Sequence, residues 1–149
     1  MTDRFVYGLF SDDIRREEGG KISLMGCYQG EMLVSPLPGL LPRICALATV
    51  VTPFDRPFKK LEFRICKNEQ ILAEIIVPEE QLSVQSQAEP DNLGEPFSQR
   101  IMTAVLVISP FFIEAPCLLR LRATTEEGEH KGPPLRIRAA PQPANISKP

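Results

Sequence analysis

The sequence lacks tryptophan altogether and has a single histidine, His130, among its 149 residues. One histidine leaves few ways to build a general base or a zinc site, because both normally combine histidine with further ligands or an orienting partner. Neither a G-x-x-x-x-G-K-[ST] loop nor a G-x-G-x-x-G turn is present, so nucleotide cofactors have no recognisable cradle. These absences argue against an enzyme, and no cofactor is predicted.

An excess of charge of one sign is also missing. Seventeen Lys and Arg residues face nineteen Asp and Glu residues, for a formal net charge of −2. Because nucleic-acid binding requires a basic surface, no nucleic-acid partner is expected. The segment Met1–Arg4 leads into a short apolar run broken by Ser11 and Asp12, which predicts neither a signal peptide nor a membrane span. The expected location is the cytoplasm.

The four cysteines are widely spaced and form no C-x-x-C pair; they are Cys27, Cys45, Cys66 and Cys117. We expect reduced thiols that pack as small hydrophobic groups. A small hydrolase would need His130 to activate one of them, but these cysteines lie within or beside apolar segments, where thiols are usually inert.

The apolar residues that are present alternate with polar ones at period two or form short solid runs, and fifteen prolines and nine glycines interrupt them. Both patterns favour strands over helices. We predict an all-β, two-layer antiparallel sandwich of the immunoglobulin-like or C2-like kind. It forms one domain over residues 1–138, followed by an extended proline-rich tail, 139–149. Its eight strands cover 4–14, 21–34, 43–52, 61–66, 71–77, 100–109, 118–125 and 135–138.

Several local expectations follow from the same patterns. In the first strand Phe5, Tyr7 and Leu9 lie on one face and Val6 and Phe10 on the other, which predicts burial on both sides. The first two segments form a long hairpin around Gly19-Gly20. Three proline-rich or polar stretches are expected to be loops or connectors, at 35–42, 110–116 and 78–99.

One stretch of motifs resembles a known family. Phe10-Ser11-Asp12-Asp13-Ile14-Arg15 with Glu17, then Gly20-Lys21-Ile22-Ser23-Leu24 and Gly26-x-Tyr28, resembles the F-x-D-D-I-R-x-E…G-K-x-S-L-x-G-x-Y signature of an uncharacterised bacterial and phage family. The later turn Thr52–Phe58 resembles that family's T-P-x-D-x-P-F segment. The resemblance covers about the first half of the chain, and it implies a phage or prophage setting but no reaction.

The densest acidic cluster contains Asp12, Asp13, Glu17 and Glu18. Hard cations such as calcium take six to eight oxygen ligands, so Asp12, Asp13 and Glu17 are candidate ligands, which Glu126, Glu127 and Glu129 could complete from another turn. Three cations lie in the same segment: Arg15, Arg16 and Lys21. Pairing with these cations is the favoured interpretation, and no metal is predicted.

Two further sets of residues are candidates for binding a partner. Arg120, Arg122, Arg136 and Arg138 share one wet face if the last two strands pair, and that face suits an acidic partner; the alternative is a solvated face paired with carboxylates such as Glu62 and Glu74. The second set is apolar and lies in stiff, proline-rich stretches: Leu37, Leu40, Leu41, Phe111, Phe112 and Ile146. For Leu37, Leu40, Leu41 and Phe112, capping the open ends of the sandwich is the favoured interpretation.

The sequence therefore predicts a non-enzymatic interaction or structural module whose partner is another protein. In a phage setting it would be a virion component or a binder of a host protein, and homo-oligomers stay possible. The strand Ile71–Val77 is a candidate edge for strand addition. The alternatives are a calcium-dependent or anionic-surface binding sandwich and a small hydrolase.

Overall fold

A computed structural model describes residues 3–87 and 99–141. Within these ranges the chain forms eleven strands, one helix and one 3-10 turn at Glu18–Gly20. In chain order the elements are β1 Phe5–Arg16, β2 Ile22–Cys27, β3 Glu31–Val34, β4 Gly39–Leu41, β5 Ile44–Pro53, β6 Leu61–Lys67, β7 Gln70–Ile76, α1 Glu79–Ser86, β8 Gln99–Ile108, β9 Phe111–Ile113, β10 Cys117–Thr125 and β11 Gly128–Ala139.

The strands form two layers, which confirms the predicted all-β sandwich. Sheet A has the order β2-β1-β5-β8 and is antiparallel throughout. Sheet B has the order β3-β11-β10-β6-β7, and its pairs are antiparallel except for β3, which runs parallel to β11. β4 and β9 form a separate two-stranded ribbon, which pairs with neither sheet among the described residues.

The core lies between the two sheets and follows the period-two pattern of the strands. Ala46, Ala48 and Val50 of β5 face inward and are almost fully buried, opposite Leu119 and Leu121 of β10. Each large apolar side chain buried in this way contributes about 1.5–3 kcal/mol relative to the same side chain in water. The alternation that predicted the strands therefore also assigns their inner faces.

The first strand differs from its prediction in one respect. Val6 and Phe10 are buried as expected, but Phe5, Tyr7 and Leu9 are 44%, 49% and 50% exposed. The prediction of burial on both faces was wrong for Phe5, Tyr7 and Leu9, since about half of the surface of each residue remains accessible to solvent. This difference decides where the candidate site lies.

Other expectations are corrected at the ends and joints of the strands. The segment 21–34 is not one strand, because Gly26 and Gly30 have φ of +68° and +83° and the chain crosses from β2 in sheet A to β3 in sheet B. The stretch 78–99 is not wholly a loop, since its first part forms α1, whose Leu82 packs into the core. The stretches 35–42 and 110–116 contain β4 and β9, which pair from Gly39 to Leu41.

Candidate functional site

The two outer faces of the sandwich differ in chemistry. The outer face of sheet B is charged and linked by ion pairs: Arg64 contacts Glu62 and lies 2.6 Å from Glu74, and Arg138 lies 3.1 Å from Glu31. The pKa of Arg64 is raised, mainly because its guanidinium donates a hydrogen bond to Glu74. Exposed Leu33, Ile71 and Ile76 occur on this side only on the two edge strands, so they form no continuous patch.

The four predicted arginines do share the outer face of sheet B, alternating with buried Leu119, Leu121, Leu135 and Ile137. Their partners differ from those expected. Arg122 pairs with Glu129 at 2.9 Å and Arg138 with Glu31, whereas Glu62 and Glu74 are occupied by Arg64. Arg120 donates to the Gly132 carbonyl at 3.0 Å. Arg136 forms no ion pair with any residue in the described ranges.

The outer face of sheet A is apolar across three adjacent strands. The strand register aligns its side chains in rows that cross β1, β5 and β8 in turn: Phe5, Val51 and Ile101; Tyr7, Thr49 and Thr103; Leu9, Leu47 and Val105; Ser11, Cys45 and Val107. None of these twelve residues is charged. Given strand spacing near 4.8 Å and a rise near 3.4 Å, the rows span about 10 Å by 20 Å. We call these twelve residues the apolar face.

The apolar face is accessible rather than merely hydrophobic. Besides Phe5, Tyr7 and Leu9, Ile101 and Val107 of β8 are 55% and 46% exposed. The rings of Phe5 and Tyr7 stack with their centroids 6.0 Å apart. On the central strand the smaller side chains lie deeper, and the hydroxyls of Thr49 and Thr103 share a hydrogen bond at 3.2 Å. The exposed side chains thus flank the buried central strand on both sides, and this uncharged, aromatic-containing surface is the candidate interaction site.

Sequence reasoning missed the apolar face because alternation alone does not say which side of a strand is covered. The run Arg43–Thr52 predicts a buried strand, and β5 is indeed buried along almost its whole length, although only its inner residues join the core cluster. One signal in the sequence pointed to this face: Phe5, Tyr7 and Leu9 are three large apolar residues at alternate positions on the same side of one strand.

The two aspartates of the acidic cluster, Asp12 and Asp13, contact neighbouring side chains. Asp12 accepts a hydrogen bond from the Tyr28 hydroxyl, and Asp13 pairs with Arg43 at 3.0 Å and with Arg15 at 3.7 Å. The hydrogen bond from Arg43 lowers the pKa of Asp13. Burial, followed by the Asp12 carboxylate, raises the pKa of Tyr28. No group of three or more His, Cys, Asp or Glu side chains within 3–87 and 99–141 is arranged to hold a metal ion.

No family model, curated protein or solved structure matches this chain. The proposals below therefore rest on the chemistry of its own surfaces. No helix among the described residues is long and apolar enough to cross a membrane.

Glu126 and Glu127 were candidates to complete an acidic site, and the structure pairs them with Arg4 instead. Glu126 lies 2.7 Å from the guanidinium of Arg4, whose side chain is 1% exposed, and Glu127 lies 3.5 Å from the same group. Arg4 also stacks over the Phe58 ring at 4.8 Å and donates to the Thr52 hydroxyl. This cluster ties the start of β1 to the β10–β11 turn and to the 52–58 turn, so these residues act structurally.

The apolar residues predicted to bind a partner from the proline-rich stretches are partly buried and partly exposed. Phe111 is buried, and Leu37 and Leu41 pack against the core, which agrees with the capping interpretation. Leu40 and Phe112 lie opposite each other in the β4–β9 ribbon and are 64% and 56% exposed. Ile146 lies outside the described residues.

The residues of the hydrolase alternative are dispersed. The His130 imidazole shares a hydrogen bond with the Thr125 hydroxyl at 3.3 Å. All four cysteines are free thiols, and burial raises the pKa of Cys45, Cys66 and Cys117. Cys27 differs from the expectation of packed thiols, because it is exposed at the end of β2.

Proposed function

We propose that this protein is a non-enzymatic binding module that docks another protein on the apolar face of sheet A. The observation that supports this function is the contrast between the two outer faces. The outer face of sheet B is charged and its ions are largely paired, whereas the apolar face exposes Phe5, Tyr7, Leu9, Ile101 and Val107 without a charge among them.

Apolar area of this kind is stabilising only when water is removed from it, and each Å² of apolar surface buried contributes about 25 cal/mol. Aromatic anchors such as Phe5 and Tyr7 are the residue types that dominate interface energies. Tyr7 and the Thr49–Thr103 pair supply hydroxyls that can hydrogen-bond a partner. This chemistry fits a protein surface of matching shape better than an ionic ligand.

The setting follows from the resemblance of residues 10–28 and 52–58 to the bacterial and phage family. In that setting the partner is a virion component or a host protein, and the module has a structural or recognition role. The signature residues themselves hold the fold: Asp12 bonds Tyr28, and Thr52 accepts from Arg4 and donates to the Arg56 carbonyl. The signature therefore maintains the scaffold, and the apolar face does the binding.

Site-specific photo-crosslinking tests this function. A photoreactive phenylalanine analogue replaces Leu9 on the apolar face in one variant and Arg136 on sheet B in the control, in cells that express the protein at its natural level. We expect one discrete adduct from position 9, lost when Tyr7→Lys is added, and none from position 136. Equal labelling at both positions, or adducts unaffected by Tyr7→Lys, would contradict the assignment.

A further inference from the structure

Strand β8 lies at the end of the strand order of sheet A and borders the apolar face. Among the described residues it pairs with β5 only, over its whole length from Gln99 to Ile108. The side-chain amide of Gln85 on α1 donates to the Ile101 carbonyl at 3.3 Å, which shows that this carbonyl points away from β5. An edge of ten residues without a covering strand is unusual, because exposed backbone groups template further pairing.

The direction of the Ile101 carbonyl fixes that of its neighbours. In an antiparallel ladder alternate residues direct both N–H and C=O to the same side, so Thr103 and Val105 also present their backbone groups to this edge. The pairing of β1 independently supports the same direction. The Phe10 carbonyl accepts from the Tyr28 N–H at 2.9 Å on the side away from β5, so odd-numbered residues of β1 form the hydrogen bonds to odd-numbered residues of β5. The even-numbered residues of β5 are then the ones that form hydrogen bonds to β8. Even-numbered residues of β8 therefore pair with β5, and odd-numbered residues do not.

A crevice of about 500 Å³ follows this edge. One wall comes from the β1–β2 hairpin, through Arg16 and Ile22, and the other from the residue after β7 and the first turn of α1, through Val77 and Gln81. Phe63 of the core also lines the crevice. The outward groups of β8 thus lie in a channel that is lined by both polar and apolar groups and is open at its rim.

The charge at the rim is of one sign. Arg16 is the only charged residue that lines the crevice, and it is exposed and forms no ion pair with any residue that the structure describes. An extended segment that enters the crevice would satisfy this guanidinium with a carboxylate. The crevice therefore favours an extended strand that carries an acidic residue.

We propose that the partner inserts an extended segment into this crevice, where it pairs with Thr103 and Val105 of β8 as a fifth strand of sheet A. Side chains of alternate residues enter the crevice or continue the apolar face, and one carboxylate contacts Arg16. This deepens the proposed function and rests on it. A second copy is a poorer occupant, because in an edge-to-edge pair the walls around each β8 would meet, whereas a single extended chain fits between them.

A displayed library of randomised nine-residue peptides supplies the probe, and the enriched peptide is synthesised with single N-methyl groups along its length. Amide hydrogen exchange of the ¹⁵N-labelled protein, with and without peptide, reports on β8. We expect slowed exchange at Thr103 and Val105, alternating sensitivity to N-methylation, and about tenfold weaker binding where a methyl removes a ladder hydrogen bond. Replacing the peptide's carboxylate by its amide should weaken binding to the natural chain and leave binding to Arg16→Gln unchanged.

Thr103→Pro removes the outward N–H without touching the ladder to β5, and Thr103→Val is the matched control that keeps it. We expect at least about tenfold weaker peptide binding for the proline variant only. If Thr103→Pro fails to fold, the exchange data on the natural chain decide.

Three results would overturn strand addition: no enriched peptide, binding without protection of Thr103 and Val105, or protection of both in a peptide-free dimer. Crosslinking from position 9 that persists in folded Thr103→Pro would leave the apolar-face function standing and reject the strand alone. Loss of both signals would reject both.

Discussion

At the scale of single residues, the buried guanidinium of Arg4 organises one end of the sandwich. Burial raises the pKa of Glu126, but hydrogen bonds from Arg4 and from the backbone N–H groups of Lys59 and Lys60 outweigh it and lower the pKa to about 2. A carboxyl whose folded pKa lies below its unfolded value stabilises the fold above the unfolded pKa, near 4.3. That contribution is lost as the pH falls from about 5 towards 2.

We therefore expect the natural chain to lose about 2 kcal/mol of unfolding free energy between pH 6 and pH 2.5 through Glu126 alone. Glu126→Gln should be less stable at pH 6 by a similar amount, since it leaves Arg4 buried with Glu127 as its remaining anion. Urea unfolding at both pH values measures the difference. Glu127→Gln is the control, and equal pH dependence of Glu126→Gln and the natural chain would contradict the assignment.

Gly26 gives a second prediction at this scale. Its φ is +68°, and a Cβ there would collide with the Asp12 carboxylate that accepts from Tyr28. Gly30 has φ of +83° but open space around it, so Gly30→Ala isolates the conformational penalty of about 1–2 kcal/mol.

Gly26→Ala should be destabilised by about 1 kcal/mol more than Gly30→Ala, because it also displaces Asp12 from its hydrogen bond. The phenol titration should follow: the raised pKa of Tyr28 should fall in Gly26→Ala and stay unchanged in Gly30→Ala. Equal unfolding free energies for the two variants would show that the Asp12 contact is unimportant.

At the scale of elements, β3 attaches to sheet B by a parallel pairing with β11. Its side chains contribute the exposed ion pair of Glu31 with Arg138, the side chain of Met32, which is 2% exposed, and Val34, which packs against the core. Exposed ion pairs contribute about 0–1 kcal/mol, whereas truncating a buried methionine to alanine costs about 2–5 kcal/mol.

Met32→Ala should therefore destabilise the protein by at least about 2 kcal/mol, and Glu31→Ala by less than about 1 kcal/mol at physiological salt. Chemical denaturation of the two variants measures both. A larger effect of Glu31→Ala would mean that charge, rather than burial, holds β3 on the sheet.

The secondary-structure elements also differ in how well the sequence predicts them. Strands with one apolar and one polar side, such as β6 and β10, were predicted within a residue or two at most ends, because alternation specifies both the strand and its inner face. The helix α1 was missed, since its short polar turns after Pro78 bury only Leu82. The parallel pairing of β3 has no local signal, because a chain crossing between sheets is decided by contacts distant in sequence.

The candidate site was harder to predict for the same reason. The arginine set was placed correctly on one face from its alternation with leucines, but its carboxylate partners were not, because ion pairing depends on which strands become neighbours. The exposure of Phe5, Tyr7 and Leu9 depends on what covers sheet A. Local pattern contains no information on coverage.

At the scale of the whole molecule, the two layers approach each other most closely where β1 crosses β10 and β11. Gly8 of β1 faces this crossing: a Cβ there would lie 2.6 Å from the Leu121 Cδ1 and would also collide with the Leu47 carbonyl of the neighbouring strand. Gly132 of β11 faces the same crossing with more room, 3.1 Å from the Leu121 Cβ. The close approach brings the inner residues of both layers into one core.

Gly8→Ala should therefore cost about 3 kcal/mol, at the upper end for overpacking, because a backbone carbonyl cannot give way as a side chain can. Gly132→Ala should cost about 1 kcal/mol, since its nearest neighbours, the Leu121 Cβ at 3.1 Å and the Leu121 carbonyl oxygen at 3.2 Å, need to give way by only a few tenths of an ångström. Thermal and urea unfolding compare the two, and Gly8→Ala combined with Leu121→Val should recover only part of the loss. Full recovery would locate the obstruction in the Leu121 side chain and not in the carbonyl of β5, and the spacing of the layers would then depend on side-chain packing alone.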